Sequence, residues 1–215
     1  MVVIRNVRFD AALSALAAVG LLVVLGGPAM ADGVGDPAEG ERRLHSEVCM
    51  ECHGEDGNSI SDAVPKLAGQ NAGYIAKQIN DFRAGKRENP TMTVMAAGLN
   101  VDGLADIAAF FAAHPRLGDF AAGSAPKGRE LFLAGDAARG IAPCAGCHGD
   151  DAKGTVLDKM IVPNIAAQHR TYLREQLRNW RSGERANSAE GIMNKIAKPL
   201  TDAEIDDLAT YLSGL

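Results

Sequence analysis

Four cysteines are the entire cysteine complement of this 215-residue chain, and they form two pairs that each end in a histidine: Cys49-Met50-Glu51-Cys52-His53 and Cys144-Ala145-Gly146-Cys147-His148. Thiols at this spacing reach the two vinyl groups along one porphyrin edge, and the histidine that follows then lies under the iron as proximal ligand. The chemistry read from these residues is covalent attachment of two haem c groups through Cys49, Cys52, Cys144 and Cys147, with His53 and His148 on the irons. Two other chemistries use the same residue types. A dithiol redox pair needs no histidine after its second cysteine, and a four-thiolate zinc ribbon sets its pairs about 15 to 20 residues apart. Here the second pair begins 95 positions after the first.

Each iron keeps a second axial position, and what fills it separates an electron carrier from a site that binds or activates small molecules. Met92 and Met95 are the sulfur candidates in the first half. Met92 lies seven residues before Leu99, as Met193 lies seven before Leu200, whereas Ile196 stands in the place of Met95. The internal match therefore selects Met92 and Met193, expected in loops just before the last helix of each half. A lone methionine is more often core filler, but two at matched positions point to ligation. A His/Met iron is closed, and its thioether favours the reduced state, which suits one-electron exchange. The competing ligands His45, His114 and His169 each occur in one half only, and His45 and His169 fall in or beside helical surface stretches. Pro65 and Pro163 follow the proximal histidines by 12 and 15 residues. A carbonyl of such a loop could accept the ring N–H of the histidine and fix its tautomer, or the prolines could simply stiffen a turn.

The elements that must position these groups are written twice. Pro65 to Gln70 (Pro-Lys-Leu-Ala-Gly-Gln) answers to Pro163 to Gln168 (Pro-Asn-Ile-Ala-Ala-Gln). Tyr74, Gln78, Phe82, Arg83, Gly85 and Arg87 answer to Tyr172, Gln176, Trp180, Arg181, Gly183 and Arg185 at a constant separation of 98. Leu99, Asp106 and Phe110 match Leu200, Asp207 and Tyr211 at 101. Such self-similarity marks a duplicated domain with small loop insertions. Each copy reads as three helices and a long loop. The first starts at Asp36-Pro37, a cap followed by a favourable first position, and is expected to run through Leu44 and Val48 into the Cys49 motif. Its equivalent starts near Pro126 and Gly128, but the stretch Ala134 to Ile141 intervenes before Cys144; the span from Gly128 to Cys144 is seven residues longer than that from Gly40 to Cys49, and the insertion is expected to form a loop beside the second haem. The middle helix carries Tyr74, Ile75, Ile79 and Phe82, or Tyr172, Leu173, Leu177 and Trp180, and stops at Gly85 or Gly183. The last helix carries Leu104, Ile107, Ala108 and Phe111, or Ile205, Leu208, Ala209 and Leu212, and Thr201 with Glu204 reads as a capping box. β-branched alternation is nearly absent, so the expected class is all-α, with no strand.

The division along the chain follows. Residues 1–31 read as a Sec-type signal peptide: Arg5 and Arg8, an uncharged apolar run from Ala11 to Leu25, then Pro28-Ala29-Met30-Ala31 with cleavage expected after Ala31. Retention as a membrane anchor is the alternative, disfavoured because the run is shorter than the roughly 20 residues of a spanning helix. Residues 32–113 and 126–215 form the two haem domains, and 114–125 a connector whose Leu117 and Phe120 suggest that it packs. Export implies the periplasm. Loss of residues 1–31 takes the net charge from −5 to −6. Nothing in the sequence resembles the basic stripe of a nucleic-acid binder, no later segment is long and apolar enough to cross a bilayer, which leaves at most peripheral membrane association, and the mild acidity points to redox partners that offer basic docking patches.

With these residues in view, the chain resembles the dihaem cytochrome c4 family from about Gly35 to Leu215, on Cys49 to His53, Pro65 to Gln70, Met92 to Leu99 and their counterparts. The resemblance implies tandem class I cytochrome c domains related by a pseudo-twofold, with haem propionate edges facing across the interface. It implies axial pairs His53 with Met92 and His148 with Met193, and electron shuttling from a quinol-cytochrome c oxidoreductase or dehydrogenase toward a terminal oxidase. One departure is Asn164-Ile165-Ala166-Ala167 where Lys-Leu-x-Gly is usual. No catalytic residue is expected in a carrier. The alternatives are the dihaem electron-accepting subunit of a flavocytochrome sulfide dehydrogenase or alcohol dehydrogenase and, requiring an open or unusual iron, a dihaem peroxidase or thiosulfate-oxidising enzyme.

Overall fold

A computed structural model describes residues 35–118, 125–158 and 160–215. The signal segment and Phe120 lie outside these residues. Asp36 caps α1 (Pro37–Leu44), its carboxylate accepting the Ala38 N–H at 2.9 Å. The helix then ends: Ser46 and Glu47 donate to Arg43 and Leu44 in tight turns, and the haem-binding motif forms its own short α2 (Cys49–His53). The expected continuous helix is thus two, and the break turns the motif toward the centre of the domain.

α3 (Ala72–Arg83), α4 (Pro90–Gly98) and α5 (Leu104–Ala113) complete the first half. Its core is Leu44, Ile75, Ile107, Ala108, Phe110 and Phe111, all buried. The second half repeats the plan with α6 (Pro126–Ala134), α7 (Ala145–His148), α8 (Arg170–Ser182), α9 (Ile192–Ala197) and α10 (Asp202–Ser213). Phe132, Trp180, Ile205, Leu208 and Leu212 are prominent in its core. Thr201 and Glu204 close the capping box, with Glu204 N–H donating to Thr201 Oγ1 at 3.3 Å. Among the described residues no single helix is long and apolar enough to cross a membrane.

In each half the first helix crosses the last at a glycine. A Cβ on Gly40 would stand 2.1 Å from the carbonyl oxygen of Asp106, and one on Gly128 would stand 2.1 Å from that of Asp207. Only a residue without a side chain lets the backbones approach this closely.

Three further expectations need correction. The described residues include a hairpin, β1 (Thr155–Leu157) paired antiparallel with β2 (Met160–Val162), so the all-α class carries one small ribbon in its second half. The methionines Met92 and Met193 sit on α4 and α9, not in loops. The insertion after α6 is not open loop throughout: Asp136 and Ile141 form a bridge around a 3-10 turn at Ala137–Arg139. Ile141, 2% exposed, is returned to the core by that bridge.

Candidate haem sites

The two motif helices line one continuous cavity of about 1720 Å³. Cys49, Cys52 and His53 stand on its wall in the first half, and Cys144, Cys147 and His148 in the second. All four cysteines are unbridged. Burial pushes the Cys49 thiol up and the Cys144 thiol up to about 11, so both are held as protonated thiols on an apolar wall. Among the described residues no three His, Cys, Asp or Glu side chains converge on a metal-binding point.

The histidines are tied as a haem ligand should be. His53 Nδ1 lies 2.8 Å from the Pro65 carbonyl oxygen and His148 Nδ1 lies 3.0 Å from that of Pro163. A carbonyl can only accept, so each Nδ1 carries the proton and each Nε2 is left to ligate. Both rings are buried, at 7% and 8% exposure, and burial holds their pKa below the usual imidazole value despite the carbonyl. A neutral imidazole is the form that binds iron. The prolines are therefore more than rigid turns.

Met92 and Met193, both half-buried, line the same cavity. Asn89 Oδ1 accepts the N–H groups of Thr91 and Met92 at 3.1 and 3.0 Å, which starts α4 at Pro90 and sets the methionine on its first turn. Met193 donates its N–H to Ser188 Oγ at 3.2 Å. Met95 lies one turn beyond Met92 on α4, also faces the cavity and is 40% exposed. The rival histidines are engaged elsewhere. His114 Nδ1 bonds the Phe110 carbonyl at 2.8 Å, His45 is the exposed C-cap of α1, and His169 Nε2 lies 2.9 Å from both Oγ and the carbonyl oxygen of Ser59 in the other domain. The last is a domain-spanning contact, not the surface position expected of it. The donor set, the apolar walls and the free Nε2 atoms fit haem in each half.

Sequence reasoning missed what lies between the halves. Gln78 and Asp81 are buried at 7% and 8% exposure on α3. They face Asn187 of the second domain, whose Nδ2 reaches Gln78 Oε1 at 2.9 Å and Asp81 Oδ2 at 2.6 Å. Arg87 donates to Gln78 Oε1, Gln176 Oε1 and the Tyr172 hydroxyl, and Arg185 donates to Gln176 Oε1, Gln78 Oε1 and the Tyr74 hydroxyl, all between 2.7 and 3.0 Å. Each guanidinium also covers an aromatic ring of its own domain, Phe82 at 4.7 Å and Trp180 at 4.3 Å. Burial would raise the pKa of the Tyr172 hydroxyl, but the two arginines bring it below the ordinary tyrosine value. The connector contributes Arg116, which donates to the carbonyls of Ala68, Asn164 and Ala166 at 2.8 to 3.1 Å. The repeated Tyr, Gln and Arg positions were the signal: polar residues duplicated at a fixed spacing on, and just after, α3 and α8.

A helical domain written twice, each copy presenting Cys-x-x-Cys-His and a methionine to a shared apolar cavity, defines the class of dihaem c-type cytochromes. The cytochrome c family model matches residues 37–113 and again 125–215. Cytochrome c4 of Thiocapsa roseopersicina is 40% identical over 191 residues, spanning 88% of this chain and 98% of the relative. The crystal structure of reduced recombinant cytochrome c4 from Pseudomonas stutzeri superposes with a TM-score of 0.76 at 35% identity, covering 85% of this chain and 100% of that one. A thiosulfate dehydrogenase electron acceptor of Stutzerimonas stutzeri is 36% identical over 191 residues, 86% of this chain and 87% of the relative. The chain belongs to the cytochrome c4 family. It is an electron-transfer protein carrying two covalently bound haem c groups, not an enzyme.

Proposed function

We propose that the protein is a periplasmic one-electron carrier of a respiratory chain, passing electrons toward a terminal oxidase, with thioether bonds at Cys49 and Cys52 and at Cys144 and Cys147. The axial pairs are His53 with Met92 and His148 with Met193. The observation that carries this reading is the single cavity lined by both motifs and both matched methionines. When bound, each haem exchanges one electron at its iron without a change of ligands.

The protein's own part is positional. The Pro65 and Pro163 carbonyls hold the imidazoles in one tautomer and rotation. The apolar cavity walls would keep water from bound haem, and Met92 and Met193 would supply the thioethers that close each iron opposite its histidine. Arg185, buried, and Arg87, half-buried, are cations between the domains suited to hold haem carboxylates, and they favour propionate edges facing across the boundary. The acidic surface supports docking on a basic partner face. Purified mature protein should contain two haems per chain, accept electrons from a quinol-oxidising complex and give them to an oxidase. Periplasmic fractionation with a processed N-terminus at Asp32 tests the location.

A second reading is favoured by the thiosulfate dehydrogenase electron acceptor among the relatives: the donor is a dehydrogenase, with this chain as acceptor. Reduction by a purified thiosulfate dehydrogenase at a rate far above that by quinol-oxidising membranes would select it.

A further inference from the structure

The peptide that orients each proximal histidine is held from the other domain. In the first domain the Pro65–Lys66 peptide offers its carbonyl to His53 Nδ1 at 2.8 Å, while the N–H of the same peptide donates to Gln168 Oε1 at 2.9 Å. Gln168 Nε2 in turn donates to the Lys66 carbonyl at 2.9 Å. The mirror arrangement is present. The Pro163–Asn164 peptide offers its carbonyl to His148 Nδ1 at 3.0 Å and its N–H to Gln70 Oε1 at 2.9 Å, and Gln70 Nε2 donates to the Asn164 carbonyl at 2.9 Å. Gln70 and Gln168 are 7% and 4% exposed. Each Oε1 also accepts the N–H of the next residue in its own chain, Asn71 or His169, at 3.0 Å. Two N–H donors on one side and a carbonyl on the other fix which way each amide points.

We propose that Gln70 and Gln168 are positioning residues acting across the domain boundary, so that each iron's histidine is tuned by a glutamine of the domain that does not contain that iron. The physical link is cooperative hydrogen bonding. A peptide whose N–H is donated carries more negative charge on its oxygen and is a stronger acceptor. A stronger acceptor on Nδ1–H makes the imidazole a more basic ligand, which favours oxidised iron. Domain association and the two reduction potentials are thereby coupled, and the coupling is crossed. The proposal rests on the axial roles of His53 and His148 proposed above.

The test is Gln168→Leu and Gln70→Leu in the mature holoprotein. Each midpoint is followed separately by an NMR redox titration, together with the Nδ1–H resonance of each proximal histidine in the reduced state. In Gln168→Leu the first haem's midpoint should rise and the His53 Nδ1–H signal should move upfield, with the second haem and His148 unmoved. Gln70→Leu should give the mirror result. Equal movement of both haems, as simple loosening of the interface would cause, overturns the proposal. So does movement of the haem in the substituted domain, or no movement at all. Should a leucine variant not accumulate, Gln168→Asn and Gln70→Asn, one methylene short of both backbone groups, are read by the same criteria. Two haems per chain with proximal His53 and His148 signals in the unsubstituted protein verify the axial reading independently; their absence defeats that reading rather than the crossed arrangement.

Discussion

Arg87 reaches across the domain boundary to donate to the Tyr172 hydroxyl at 3.0 Å. The repeat-related Arg185 and Tyr74 make the reciprocal bond at 2.9 Å. A duplicated chain has used the same pair of residues twice, each arginine partnering the tyrosine of the other copy, so the interface is built from the repeat itself.

Removing one hydroxyl leaves a guanidinium, half-buried at Arg87 or buried at Arg185, with one fewer acceptor, and the glutamines that remain keep it partly satisfied. Tyr172→Phe and Tyr74→Phe should each cost about 1 to 3 kcal/mol in denaturant titrations of the holoprotein. A cost near zero in both would mean that the arginines are held by something other than these rings.

The positions of backbone constraint make opposite predictions. Gly128→Ala places a methyl 2.1 Å from the Asp207 carbonyl oxygen, and should destabilise by about 1 to 3 kcal/mol as α6 and α10 are pushed apart. Ala167 has φ +54, the left-handed region that its counterpart Gly69 occupies at φ +63. The departure in the second loop has therefore kept the loop shape at the cost of strain, and Pro163 still meets His148. Ala167→Gly should stabilise by about 1 kcal/mol; a loss of stability there would show that the buried methyl outweighs the strain.

Glu204 supplies a pH signature. The hydrogen bond from Arg139 is the main reason its carboxyl is held down at about 2, and capping contacts with Thr201 add to it. The folded value lies below the unfolded one of about 4.5, so its contribution to stability is complete above about pH 4.5 and fades as pH falls toward 2. Glu204→Gln should flatten the acid limb of the stability curve within that window. An unaltered limb would place the acid sensitivity elsewhere.

Haem is also structural. Burial of roughly 400 Å² of macrocycle surface at about 25 cal/mol per Å² is worth at most about 10 kcal/mol, comparable to the whole stability of a small domain. Protein made without haem should give a weak, non-cooperative helical signal by circular dichroism. Cooperative unfolding from a native-like helical content would contradict this.

Much of the arrangement was legible in the sequence because its signals are local: the cysteine spacing, the caps at Asp36 and Thr201, and the apolar stripe of each helix. The repeat also favours Met92 over Met95 as the proposed ligand, and both line the cavity. Other features were hidden for physical reasons. α4 begins with an Asn89-Pro90 cap, but its mixed residues carry no clear apolar stripe, so Met92 read as loop. The strands hold only three residues each, Thr155–Leu157 and Met160–Val162, too few for alternation to register. The hairpin instead leans on the first domain, where a Cβ on Gly73 would meet Ile161 Cδ1 at 2.7 Å. Gln70 and Gln168 in loops and Gln78 and Asp81 on α3 are buried by the other domain, and burial by a distant segment leaves no periodic mark on a loop or on a helix that looks half polar.

The central claim is that two His/Met-ligated irons share this scaffold, and the charge-transfer band between methionine sulfur and ferric iron reads it most directly. In oxidised protein the band should fall by about half in Met92→Ala and in Met193→Ala, vanish in the double variant, and survive in Met95→Ala. An intact band in Met92→Ala, or one lost in Met95→Ala, would contradict the assignment of the first iron's sulfur ligand.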